Sequence, residues 1–211
     1  MSTISNAIVE FNEIRDNYAG EYGGGIYDYG GQPYSVIRNN VISGNGTHVN
    51  GGGAWFGGAT FIGNLVVGNW SDYFAGGLYG GGEIRNNTIV LNGGEYAVWA
   101  VGMIVANIIV RNQGQGIIAC AGSPNLECNN SWGNDGGDWT TEAPCDTTMG
   151  SNFSADPLFC AEYPEDYRIS QQSPCAPGGH PGCGLVGAFP VGCGATAVQP
   201  TTWGRIKASF R

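Results

Sequence analysis

The sequence predicts an all-β chain folded as a right-handed parallel β-helix, a solenoid of about six coils with an asparagine ladder and a cysteine-rich C-terminal cap. Three observations carry that expectation. A pair of asparagines five residues apart recurs six times, glycine runs return in register with those pairs, and cysteines crowd the last third of the chain.

Composition narrows the class first. Glycine supplies 38 of 211 residues and charged residues only 12%, too little charge for solvated helices and too many aromatic and β-branched residues for disorder. Runs such as Gly23-Gly24-Gly25 break the every-third-residue period of collagen. Eight Lys and Arg against 17 Asp and Glu give a formal charge of −9. Such a surface repels a phosphate backbone, so no nucleic-acid partner is expected. No apolar run approaches the roughly 20 residues of a membrane span, and no transmembrane segment is expected. Met1-Ser2-Thr3-Ile4-Ser5-Asn6 lacks the basic start and apolar stretch of an export signal. Seven cysteines, five of them after residue 140, nevertheless point to disulfides and an extracellular or cell-surface location, although no signal peptide is expected in this chain.

The ladder is expected from Asn12/Asn17, Asn40/Asn45, Asn64/Asn69, Asn87/Asn92, Asn107/Asn112 and Asn129/Asn134. Their first members are 28, 24, 23, 20 and 22 residues apart, near the length of one β-helix coil, with loops absorbing the variation. Apolar strands flank each pair, as in Ile37-Arg38-Asn39-Asn40-Val41-Ile42 and Ile84-Arg85-Asn86-Asn87-Thr88-Ile89. The glycine runs ending at Gly25, Gly53 and Gly77 each close eight residues after Asn17, Asn45 and Asn69. A coil that returns one sheet spacing, about 4.8 Å, above its start stacks equivalent residues. Asparagines at the bends, tolerant of left-handed geometry, can then pass side-chain hydrogen bonds from coil to coil. The coils are expected over residues 1–139, a disulfide-rich final coil or cap over 140–195, and a C-terminal tail over 196–211.

Over residues 4–139 this pattern resembles the right-handed β-helix proteins of the pectin-lyase-like superfamily, which implies the fold and leaves the activity open, because that superfamily includes lyases, hydrolases, adhesins and spacers. Residues 129–193, with Asp156-Pro157-Leu158-Phe159-Cys160, Asp166-Tyr167-Arg168-Ile169, Ser173-Pro174-Cys175 and Cys183-Gly184-Leu185-Val186-Gly187-Ala188, resemble the final coil of bacterial secreted β-helix proteins. A cap is required there because the open end of a stacked core exposes strand edges and apolar side chains. Within it Cys145 is expected to pair with Cys160 and Cys175 with Cys183, leaving Cys120, Cys128 and Cys193 unassigned. Zinc is disfavoured, since no Cys-x2-Cys pair exists and His48 and His180 lie far apart. In the tail, Trp203, Ile206 and Phe210 fall on one face of a short helix. That face is expected to dock on the coils, or else to grip a neighbouring subunit, as an assembly tail, or the cell envelope.

No reaction is legible in the ionisable residues. Arg38 and Arg85, each two positions before a ladder asparagine, are expected in an outward solvated strip. A hydrolase of the two-carboxylate kind needs paired aspartates, and no Asp-Asp dipeptide occurs. Asp135 and Asp138 are weak candidates for Ca2+ in what reads more simply as a turn. No catalytic residue, metal or cofactor is therefore assigned, with Ca2+ kept open. Aromatics are the better hint: Tyr27, Tyr29, Trp55, Phe56, Trp70, Tyr73 and Tyr79 follow the first three asparagine pairs and could face a polysaccharide or another protein, or pack among themselves. The expected function is a non-catalytic extracellular bacterial surface or structural module, self-assembling into filaments or adhesive, with itself or a surface polysaccharide as partner. The alternative is a polysaccharide lyase, glycoside hydrolase or carbohydrate-binding β-helix.

Overall fold

A computed structural model describes residues 7–30, 34–119, 125–139, 150–161 and 166–193. The first layer contributes β1 (Ile8–Glu10), β2 (Glu13–Arg15) and β3 (Tyr18–Ala19). The second adds β4 (Ile26–Asp28), β5 (Ser35–Arg38), β6 (Val41–Ser43) and β7 (Gly46–Thr47), and the third β8 (Ala54–Ile62), β9 (Leu65–Val67) and β10 (Trp70–Ser71). Then follow β11 (Ala75–Arg85) and β12 (Thr88–Val90), β13 (Tyr96–Val105) and β14 (Ile108–Val110), and β15 (Gln115–Ala119), β16 (Asn125–Glu127) and β17 (Asn130–Trp132). Outside the coils, β18 (Phe159–Ala161) and β19 (Asp166–Ile169) form an antiparallel hairpin. Every strand pairing between coils is parallel, giving an eight-stranded leading face, a six-stranded second face (β2-β6-β9-β12-β14-β17) and a three-stranded third face (β3-β7-β10).

The molecule is thus a parallel β-solenoid of about four turns, fewer than the six coils expected from six asparagine pairs. The pairs count layers of the six-stranded face, whereas only the first three layers also carry the third face. Among the described residues there is no helix, and so none long and apolar enough to cross a membrane.

Strand alternation fills the core. Ile37, Phe61, Ile84 and Ile104 stack inward from one half of the leading face, and Ile42, Val66, Ile89 and Ile109 from the second face. Corners turn without losing hydrogen bonds. Each ladder asparagine that has an asparagine one layer on donates its Nδ2 to that residue's Oδ1 at 2.8–3.2 Å. In the interior layers the same Nδ2 reaches back to a carbonyl of the previous coil, as Asn64 does to Ile37 and Asn92 to Val66. Its Oδ1 in turn accepts the backbone N–H and Nδ2 of the asparagine before it, so the carboxamide is saturated.

The ladder forms two columns. Asn12, Asn40, Asn64, Asn87, Asn107 and Asn129 make the first, and Asn17, Asn45, Asn69, Asn92, Asn112 and Asn134 the second. Asn12 and Asn17 are exposed, with no earlier layer over them among the described residues, and the others are buried. Asn112 departs from the expectation of a full coil after every pair. Its side chain keeps the ladder geometry, with Nδ2 on Asn134 Oδ1 at 2.8 Å and on the Ile89 carbonyl at 3.3 Å. The chain beyond Asn112 nevertheless enters β15 after two residues with no third-face strand, since this coil lacks the length for one. Its carbonyl still joins the layers, accepting the Asp135 N–H.

A second detail of the expectation is also corrected. The left-handed residue at each bend is the one preceding the ladder asparagine: Phe11, Asp16, Asn39, Gly44, Gly63, Gly68, Asn86, Leu91, Ala106, Arg111, Cys128 and Gly133 all have φ between 51° and 66°. The asparagine supplies the side-chain bonds and its predecessor supplies the turn. The glycine column Gly25/Gly53/Gly77 lies against this ladder. A Cβ on Gly25 would stand 2.6 Å from the Gly53 carbonyl and 2.9 Å from Asn45 Nδ2, so only glycine lets the coils approach there.

The C-terminal third also differs from a simple end cap. Residues 150–153 do add a layer, since Asn129 donates to Asn152 Oδ1 and Phe153 bridges to Asn130. Beyond them the chain folds back over the outer face of the six-stranded sheet. Phe153, Tyr167, Ile169, Ala176 and Val186 bury Leu65, Val67, Val90, Ile108 and Val110 in a second core outside the solenoid. Of the tail, Trp203, Ile206 and Phe210 lie outside the described residues.

Candidate contact surface

The same alternation that fills the core decides which aromatics reach the surface. On the leading face Ala54 and Phe56 point inward and Trp55 outward, and the parallel register then aligns Tyr27, Trp55, Tyr79 and Trp99 across four layers. Their rings form one column: Tyr27 to Trp55 at 5.0 Å, Trp55 to Tyr79 at 6.2 Å and Tyr79 to Trp99 at 4.3 Å, the last two pairs within 6° of parallel. Tyr22 and Tyr29 lean on its first members. Burial pushes the Tyr79 hydroxyl pKa above its ordinary value, with Tyr22 adding to the effect.

This column brings together Tyr27, Tyr29, Trp55 and Tyr79 of the expected set. It excludes Phe56, which is fully buried and stacks on Phe61 inside the core. That correction follows from period-two alternation, because Trp55 and Phe56 cannot both face out. Trp99 is the member that sequence reasoning missed. Tyr27, Trp55 and Tyr79 each stand ten residues after a second ladder asparagine, whereas Trp99 stands seven after Asn92, its coil having dropped the third-face strand. In a parallel stack the faces of the rings cover one another, so the inner members present mainly edges to solvent.

Trp70 and Tyr73 lie elsewhere, at the third face. Tyr18, Gly46 and Trp70 are aligned on β3, β7 and β10. Gly46 has no side chain, and the Trp70 ring occupies that space, where a Cβ would lie 2.2 Å from it, and stacks on Tyr18 at 5.7 Å. Both remain open to solvent, Tyr18 at 63% and Trp70 at 40%. Beside them His48 Nδ1 contacts Asp72 Oδ2 at 2.8 Å, and Tyr73 meets the imidazole edge-on. This corner, with Tyr18, Trp70, Tyr73, His48 and Asp72, is the part of the coils where exposed rings and polar groups lie side by side.

Comparison with protein-family models, with curated proteins and with solved structures finds no match. The chemistry of the chain therefore rests on its own geometry.

Among the described residues the ionisable groups do not converge. Arg38 and Arg85 occupy one outward column, each turned to a surface carboxylate, Glu10 and Glu83. Asp135 and Asp138 do not form a pair. Asp138 Oδ1 closes the second ladder by accepting the backbone N–H and Nδ2 of Asn134, both at 3.1 Å, and its Oδ2 accepts from Ser154, while Asp135 stands in solvent. Among the described residues no group of three or more His, Cys, Asp or Glu could hold a metal ion. Asp28 is a buried carboxylate at the rim of the core. Its Oδ1 accepts from the Gly30 N–H and its Oδ2 has no partner among the described residues.

The expected disulfides are overturned by the way the chain folds back. Cys183 pairs with Cys128, and Cys160 with Cys193. Cys128 is a left-handed corner residue whose side chain points out of the coil, where the returning chain brings Cys183 to it. Cys193 reaches Cys160 because residues 191–193 run beside β19, with Gly192 N–H donating to the Ile169 carbonyl. Cys175 stays a buried free thiol that accepts from Asn130 Nδ2, and Cys145 lies outside the described residues. Asn152, a further ladder layer, was also missed. It stands 23 residues after Asn129, within the coil spacing, but has no second asparagine five residues on.

Proposed function

We propose that this chain is a non-catalytic β-solenoid that works outside the cell as a structural or adhesive surface module, of the bacterial pectin-lyase-like kind. One observation carries the reading. The side chains that the fold concentrates are carboxamides saturated by one another, while the described carboxylates are dispersed, several of them paired with a local cation or engaged in the ladder. Two disulfides among the described residues favour an oxidising location. The exposed corner of Tyr18, Trp70 and Tyr73 favours a contact role at the third face, with a surface polysaccharide or a second copy as partner.

Incubation with acidic and neutral polysaccharides, with and without Ca2+, tests the reading. Neither unsaturated nor reducing products are expected. Product formation that disappears in Asp135→Ala or Asp72→Ala would replace the module by an enzyme. Electron microscopy and light scattering at rising concentration measure the assembly part: rods or higher oligomers are expected, and a strict monomer together with no polysaccharide retention in pull-downs would contradict both contact roles.

A further inference from the structure

We propose that residues 183–193 form a redox latch over the outer face of the six-stranded sheet, closed by its two cystines and released when they are reduced. The inference is independent of the function proposed above. Both ends of this segment are covalently anchored, and to different parts of the molecule. Cys183 is bonded to Cys128 at a solenoid corner, and Cys193 to Cys160 in β18.

Between the anchors the segment meets the coils through a few hydrogen bonds and through Val186, Leu185 and Phe189, which pack on the outer core. Gly187 N–H donates to the Ala106 carbonyl at 2.8 Å, Ala188 N–H to Thr88 Oγ1 at 3.1 Å, and Asn86 Nδ2 to the Leu185 carbonyl at 2.8 Å. Val186 is the one hydrophobic side chain between the anchors that is fully buried. Gly187 lies so close to the sheet that a Cβ would stand 2.6 Å from Ile108 Cδ1, and its φ of +96° suits glycine alone. The segment contains no strand, and its Val191 makes a single isolated bridge to Ile169.

Beneath it lie the outward residues Thr88 and Ile108, the latter in the same cluster as Leu65, Val67, Val90 and Val110. An apolar outer row of this kind is stable in water only while covered. While both cystines are intact, the segment can leave the sheet only as a closed loop pinned at Cys183 and Cys193, and reduction removes both pins. A dithiol reductant opens each by exchange. Its first thiolate attacks one sulfur, the departing sulfur takes a proton, and its second thiol completes the transfer. Each cystine thereby gains two electrons and two protons, and the reductant becomes a cyclic disulfide.

Hydrogen-exchange mass spectrometry of the intact chain, oxidised and after dithiothreitol, tests the latch. Reduction is expected to speed exchange of the Gly187 and Ala188 amides at least tenfold, to leave the Ile89 and Ile109 amides of the inner strands protected, and to raise binding of an apolar dye. Reoxidation should reverse all three. Because dithiothreitol reaches every cystine, Cys128→Ser and Cys160→Ser confine the change to one anchor each, and each is expected to speed the same amides. Unchanged exchange at Gly187 after reduction overturns the proposal. So does equal loss of protection throughout the coils, which would make the cystines supports of the whole fold. Should a variant fail to fold, reduction of the folded wild-type chain still decides between these outcomes.

Discussion

Trp99 stacks on Tyr79 with ring centroids 4.3 Å apart and planes within 6°, from directly opposed positions on β13 and β11. The pair belongs to a column that crosses four layers, so its energy is partly cooperative. Replacing Trp99 by Ala is expected to cost about 1–2 kcal/mol for a half-buried ring. A double-mutant cycle with Tyr79→Ala should return a coupling of about 1 kcal/mol. Urea unfolding measures both values. Near-UV circular dichroism should lose its strongest aromatic band in either single variant.

The asparagine ladder predicts a cost that depends on position. Asn87→Ala removes the acceptor of the Asn64 N–H and Nδ2 and the donor to the Phe61 carbonyl. Buried groups left without partners cost about 1–3 kcal/mol each, so a loss of roughly 3–5 kcal/mol is expected. Asn12→Ala, in the exposed first layer, should cost less than about 1 kcal/mol by the same reasoning. Equal losses at the two sites in urea unfolding would contradict the saturated-ladder account.

At the corners, the left-handed residue is separable from the ladder. Leu91 has φ +58° and is 52% exposed, so Leu91→Gly should raise stability by about 0.5–1 kcal/mol through relief of backbone strain. Gly68 has φ +63°, and a Cβ there would have nothing within 4 Å. Gly68→Ala should therefore lose about 1 kcal/mol from backbone conformation alone. Thermal unfolding of the two variants, shifted in opposite directions, is the expected result.

Cys175 carries the pH dependence. Burial pushes its pKa up from the ordinary 9.0 to about 11, against hydrogen bonds from Asn130 and Ser173 that lower it. Between those values the folded chain keeps a proton that the unfolded chain has lost, so stability falls as pH rises from about 9 to about 11. A shift of that size corresponds to roughly 2–3 kcal/mol. Comparison with Cys175→Ala across this range isolates the contribution. Iodoacetamide at neutral pH should leave Cys175 unmodified in the folded chain and label it in denaturant, read by peptide mass mapping.

The ladder is legible in the sequence because each amide must meet its counterpart one layer on. That requirement leaves a periodic trace, Asn12 to Asn129, that variable loops do not erase. The shape of the coil between two amides leaves only a weak trace, because the layers without a third-face strand, with spacings of 20 and 22 residues, are barely shorter than those of 23 and 24 that carry one. Aromatics are half legible: Tyr27, Trp55 and Tyr79 keep a fixed distance from the ladder, and strand alternation separates Trp55 from Phe56, but a shortened coil hides Trp99. Tertiary structure alone decided the partners of Cys128 and Cys160, the burial of Ile108 and Val110 on the outside of the sheet, and the use of Asp138 as the terminus of a ladder. These depend on where the chain turns back across layers already built. Such a meeting joins residues with no common period, so it emerges only when the solenoid and the segment that covers it are folded together.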